Sequence, residues 1–91
     1  MFVIISYDIV DNRRRLKVSN ELENYGFRVQ YSVFEATIDC RKLDDLINKI
    51  EPLIKKDEDS IRIYRLCDTC LEKIKIFGVG EVVRDKDFYI I

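Results

Sequence analysis

The chain opens on a dense apolar stretch, Phe2-Val3-Ile4-Ile5-Ser6-Tyr7-Asp8, which reads as a buried strand ending in a single acid. Charged residues follow at Asp11-Asn12-Arg13-Arg14-Arg15-Leu16-Lys17, and the pattern changes to helical spacing. A helix is predicted to start after Asp11 or Asn12, either of which can accept a hydrogen bond from the first turn, and to run to Tyr25. Leu16, Ser19, Leu22 and Tyr25 fall on its inner face. Gly26 is expected to close it in the left-handed conformation.

Phe27, Val29 and Tyr31 then alternate with polar residues, and Phe34, Ala36 and Ile38 alternate in the opposite phase. A phase change between Gln30 and Val33 predicts two strand segments joined by a bend or bulge. Leu43, Leu46, Ile47, Ile50, Leu53 and Ile54 share one face of a second helix, whose last turn Pro52 should kink or shorten. Asp57-Glu58-Asp59 reads as a turn and Ile61 to Leu66 as a strand. Cys67 to Cys70 reads as a loop, and Leu71 to Phe77 as a further strand. Gly78 and Gly80 release a tail that ends in the apolar Phe88-Tyr89-Ile90-Ile91.

The order β-α-β-β-α-β predicts an α+β, ferredoxin-like sandwich with both helices on one face of an antiparallel sheet and an extra C-terminal strand. The expected division is one domain over 1–91, with a core over 1–78 and a tail over 79–91. The second sheet face lacks a cover, so the tail is expected to pack on a partner subunit and the chain to be a homodimer. A chain of 91 residues with 47% hydrophobic positions gains considerably from such pairing, because a domain this small buries only about 60–65% of its surface.

Composition narrows the chemistry. There is no histidine, which excludes Ser/His/Asp and Cys/His catalysis, histidine zinc sites and the usual base of metal-free ribonucleases. The formal charge of −1 predicts no general affinity for polyanions. Three cysteines without disulfide-framework spacing fit a reducing compartment. No apolar run approaches the roughly 20 residues that span a bilayer, and no signal peptide is legible. A soluble, cytoplasmic protein with no membrane partner is expected.

Three constellations carry candidate chemistry. Asp8, at the end of a buried strand, is a candidate ligand for a divalent metal; the bland reading is a turn cap or an arginine partner. Magnesium prefers carboxylate oxygen and retained water, so one acid per subunit makes a poor site. Two copies of Asp8 across a twofold axis make a better one. Arg13, Arg14, Arg15 and Lys17, with Arg28 and Gln30 nearby, are candidate phosphate contacts or else a solvated helix end paired with Asp11, Glu21 or Glu23. Cations at a helix N-terminus cost a few tenths of a kcal/mol each, which weakly favours a ligand. Cys67-Asp68-Thr69-Cys70 has the spacing of half a zinc knuckle or a redox pair. With no further ligands in place and strand pattern following, loop cysteines are expected, the alternative being a site shared across a dimer.

Ser6-Tyr7-Asp8-Ile9, Arg14-Arg15, Tyr25-Gly26 and Arg28-Val29-Gln30-Tyr31-Ser32-Val33-Phe34-Glu35 closely resemble the small CRISPR-associated adaptation proteins. Asp59-Ser60-Ile61-Arg62-Ile63-Tyr64 and Leu66-Cys67-Asp68-Thr69-Cys70 are similar to that family's fourth strand and loop. The resemblance covers nearly the whole chain and is least distinctive in the tail. It implies a homodimer that exchanges C-terminal strands and bridges CRISPR integrase dimers during spacer acquisition, its basic surface holding duplex DNA. Asp8 would match the family's magnesium-binding catalytic acid, one from each subunit. Three functions follow as expectations: a magnesium-dependent endonuclease on RNA or double-stranded DNA, a non-cutting DNA scaffold in the same complex, or a toxin-like ferredoxin-fold endoribonuclease.

Overall fold

The computed structural model describes residues 1–82. Strand β1 spans Phe2–Asp8, and α1 spans Asn12–Glu23. Strands β2, Phe27–Gln30, and β3, Val33–Thr37, precede α2, Cys40–Ile50, and a 3-10 turn over Glu51–Leu53. Strand β4, Ser60–Leu66, leads into the short helix α3, Asp68–Glu72. The sheet order is β2-β3-β1-β4, and every neighbouring pair is antiparallel. This is the ferredoxin-like arrangement, with β1 at the centre between β3 and β4.

Strand alternation sorts the residues of β1. Val3, Ile5 and Tyr7 are buried with Val18 and Leu22 of α1, Phe34 and Ala36 of β3, and Leu43, Leu46 and Ile50 of α2. That is the core, and it occupies one face of the sheet. On the opposite face the register aligns Phe27, Glu35, Ile4 and Tyr64 in one row across the four strands, and Gln30, Val33, Ser6 and Arg62 in the next. No helix of the core cluster reaches this second face.

Asp11 caps α1, its carboxylate accepting from the Arg14 N–H at 3.0 Å, and Asp39 caps α2 from the Lys42 N–H at 2.8 Å. Pro52 lies in the 3-10 turn, so α2 stops at Ile50 as a proline requires. The phase change before Val33 is a hairpin reversal through Tyr31–Ser32, with a register shift between Arg28 and Gln30.

Four expectations need correction. Val18, Ser19 and Leu22 form the buried face of α1, whereas Leu16 is 58% exposed. A three-and-four spacing centred on Val18 and Leu22 wins because both reach the central strand's core. Gly26 does not take a positive φ. It is small because β3 runs against it: a Cβ there would meet the Ala36 Cβ at 2.7 Å and the Glu35 carbonyl closer still. Cys67 to Cys70 is not a loop, because Cys67 caps α3 and Cys70 lies inside it. Leu71–Phe77 is not a strand; Leu71 packs inward from α3, and Asp68 in its first turn suits the helix dipole. The described residues therefore hold four strands, and the Phe88–Ile91 stretch lies outside them.

Candidate metal and nucleic-acid site

Asp8 is the last residue of β1, opposite Ser60 in the register with β4. It is exposed and in phase with Ile4 and Ser6, on the side of the sheet that α1 and α2 leave open, at the opposite end from the buried Phe2 and Thr37. Its carboxylate has no hydrogen-bond or ion-pair partner among the described residues. The bland readings, a turn cap or an arginine pair, are thus not what the side chain does. The cap is Asp11 instead, held below its ordinary carboxyl value chiefly by the Arg14 N–H.

The arginine cluster divides by task. Arg14 donates from Nε to Asp59 Oδ2 at 2.8 Å and from Nη2 to Asp59 Oδ1 at 3.2 Å. The same carboxylate accepts from the Val10 N–H at 3.1 Å and the Lys55 N–H at 2.9 Å, and its side chain is 0% exposed. The Arg14 fork, assisted by those two amides, holds the Asp59 carboxyl far below the usual range despite its burial. Arg15 donates to the Ile9 carbonyl from Nε and Nη2, at 3.2 and 3.1 Å, and to the Val10 carbonyl at 3.2 Å. Its Nη1 reaches Asn12 Oδ1 at 3.0 Å. Together Arg15 and Asp59 pin both polar sides of the segment directly after Asp8.

Arg28 donates to the Tyr31 carbonyl at 2.6 Å, lies 3.6 Å from Glu23, and sits over the Phe34 ring at 5.0 Å. The Tyr7 hydroxyl donates to the same Tyr31 carbonyl at 3.2 Å. The Arg13 and Lys17 side chains are exposed and make no hydrogen bond or close ion pair among the described residues; the Arg13 N–H and charge add a minor pull on Asp11. An open concavity of about 490 Å³ brings Asp8, Asn12, Arg15, Arg28, Tyr31 and Ser32 onto one lining. Of the expected site residues it gathers Asp8, Arg15 and Arg28, and leaves Arg13, Arg14 and Lys17 outside.

Asp59 is the residue that sequence reasoning missed. It stood in an acidic run read as a turn, and its partner Arg14 is distant in the chain; the one available signal was an acid directly before an apolar strand. As a metal site, the donor chemistry of Asp8 suits magnesium. However, no group of three potential ligands occurs among the described residues, so one chain supplies too few.

Residues 1–74 match the family described as CRISPR associated protein Cas2. The chain belongs to the Cas2 family. It is 46% identical over 91 residues to a Chloroflexus aurantiacus protein named CRISPR-associated endoribonuclease Cas2 3, covering 100% of this chain and 98% of that one. The crystal structure of Streptococcus pyogenes Cas2 at pH 6.5 is similar with a TM-score of 0.76 and 29% identity, covering 86% of this chain and 100% of that one. A chain of the structure described as a partial Cas6-RT-Cas1–Cas2 complex is similar with a TM-score of 0.72 and 33% identity, over 82% of this chain and 88% of that one. The Cas2 fold and the resemblance drawn from the sequence agree.

Proposed function

We propose that two copies of this Cas2-family chain pair over the open sheet face and act as a divalent-metal-dependent endonuclease on RNA or duplex DNA. In this reading the dimer also partners the CRISPR integrase, with the 79–91 tail packed on the other subunit. The observation that carries it is Asp8: an unpaired carboxylate in phase with the open face, which a twofold axis would duplicate. The name of the Chloroflexus relative supports nuclease activity, and the Cas1-containing complex supports the integrase partner.

Asp8 from each copy would hold magnesium, which when bound supplies a Lewis acid for a phosphate oxygen and lowers the pKa of a water. The chain's own contribution is orientation. Arg15 and Asp59 fix Ile9 and Val10, so the backbone that carries Asp8 cannot drift. Arg28 and Tyr7 hold the Tyr31 carbonyl, which sets the wall of the concavity. Arg13 and Lys17 are free to meet phosphate oxygens.

The test is cleavage of RNA and of duplex DNA by purified protein, with and without magnesium, beside Asp8→Asn. The amide keeps the shape and loses the charge, so cleavage should fall by roughly two orders of magnitude or more while the fold persists. An Asp8→Asn protein, free of contaminating nuclease, that cuts as fast as the parent removes Asp8 from the reaction.

The scaffold reading has its own observation. Three of the five candidate cations hold the protein's own backbone or Asp59, so duplex binding rests on Arg13 and Lys17. Changing both to alanine should weaken binding equally for all sequences and lower its salt slope by roughly one unit per lost contact. An unchanged slope makes them a solvated helix end.

A further inference from the structure

The CxxC motif is absorbed by neither reading. Cys67 and Cys70 are both exposed, and so is Cys40 at the start of α2. Strand β4 ends at Leu66, Cys67 takes an extended conformation at φ −75 and ψ 167, and the chain then turns into α3. The Leu71 N–H donates to the Cys67 carbonyl at 2.9 Å and the Lys73 N–H to the Cys70 carbonyl at 3.1 Å, so the backbone of this turn is fixed. One helical turn brings residues three apart together, and Cys67 and Cys70 stand at that spacing, at the N-cap and inside the first turn of α3. No other cysteine, and no third potential metal ligand, joins them among the described residues.

We propose that Cys67 and Cys70 are a redox-active dithiol, which a low-molecular-weight disulfide oxidises to an intramolecular disulfide across the first turn of α3. The Cys67 thiolate attacks one sulfur of that disulfide, breaking its S–S bond and releasing the first small thiolate. The Cys70 thiolate then attacks Cys67 in the mixed disulfide and releases the second. The protein loses two protons and two electrons, and the small disulfide becomes two thiols. The order of attack has a physical cause. The Cys70 backbone N–H, then its thiol, and the Thr69 N–H stabilise the Cys67 thiolate and lower its pKa, while the neighbouring Cys67 raises that of Cys70. Cys67 is therefore the attacking group and Cys70 the resolving one.

The experiment uses the full chain with Cys40→Ser, equilibrated with graded ratios of oxidised to reduced glutathione, quenched in acid, alkylated and weighed. The expected product has lost two hydrogens, carries no glutathione and has no thiol left to alkylate. Cys67→Ser and Cys70→Ser in the same background should each retain one glutathione instead, with unchanged far-ultraviolet circular dichroism. In the parent chain, Cys67 should alkylate about tenfold faster than Cys40 near neutral pH. Two bound glutathiones without ring closure, or equal alkylation rates at Cys67 and Cys40, would overturn the assignment.

Discussion

On the covered side of the sheet, Asp59 is sealed from water and accepts four hydrogen bonds, from Arg14 twice and from the Val10 and Lys55 amides. On the open side, Glu35 lies in register between Phe27 and Ile4 and accepts no side-chain hydrogen bond among the described residues. Two carboxylates on opposite faces are thereby driven in opposite directions. Arg14 lowers the pKa of Asp59, whereas burial alone raises that of Glu35. The covered face is complete within one chain: its polar groups are paired and its apolar ones buried. The open face desolvates an acid without compensating it, which suits a surface whose partner lies on another molecule.

The sharpest way to break this contrast is one large-to-small change on each face. Phe34 is 0% exposed in the core, so Phe34→Ala should cost about 3–5 kcal/mol, transfer and cavity together. Tyr64 lies on the open face, half exposed, and Tyr64→Ala should cost about 1 kcal/mol or less in the monomer. Urea unfolding at low protein concentration reads both. Equal losses would mean that the open face is already as well packed as the core.

The next effect sits on Asp59. Asp59→Asn leaves the Arg14 fork facing a neutral amide and should lower the melting temperature on the order of 10 °C. The sign of its pH dependence follows from a folded pKa below the ordinary 3.8. The stabilisation is fully present above that value and is lost as pH falls below it, when the folded protein must take up a proton it resists. The difference between parent and Asp59→Asn should therefore hold above about pH 5 and shrink as pH falls through the ordinary 3.8 and below. A difference that stays constant over that range would assign the loss to packing.

This clamp also marks where the sequence stopped being readable. β1 was legible because Val3, Ile5 and Tyr7 alternate with Ile4 and Ser6 in a strand with a neighbour on each side. α2 was legible because six apolar residues share one face. α1 has fewer apolar positions, so Leu16 and Val18 competed for the inner face and only packing decided for Val18. The candidate site divides in the same way. Asp8 was visible as an acid ending an apolar run. That Arg14 belongs to Asp59, and Arg15 to the Ile9 and Val10 carbonyls, depends on long-range or backbone contacts that no spacing encodes. The cysteine turn was misread because Leu71-Glu72-Lys73-Ile74 satisfies either period over so short a span.

The smallest expected effect is the most direct measure of what the open face lacks. Burial raises the folded pKa of Glu35 above its ordinary 4.5, so the folded chain holds that proton more tightly than the unfolded one. The resulting penalty is absent below the ordinary value and grows as pH rises through the folded one. Glu35→Gln removes the charge and keeps the shape. It should therefore stabilise the chain near neutral pH by a few tenths of a kcal/mol, the small size reflecting a group still largely screened by solvent. Below about pH 4 the gain should vanish, because both states then hold the proton. If a second copy seats on this face, Glu35 is desolvated further, and the gain should increase with protein concentration. Parallel denaturation curves at two concentrations and two pH values separate these terms. A gain that is the same at both pH values would come from packing, and the open face would then carry no electrostatic cost for a partner to relieve.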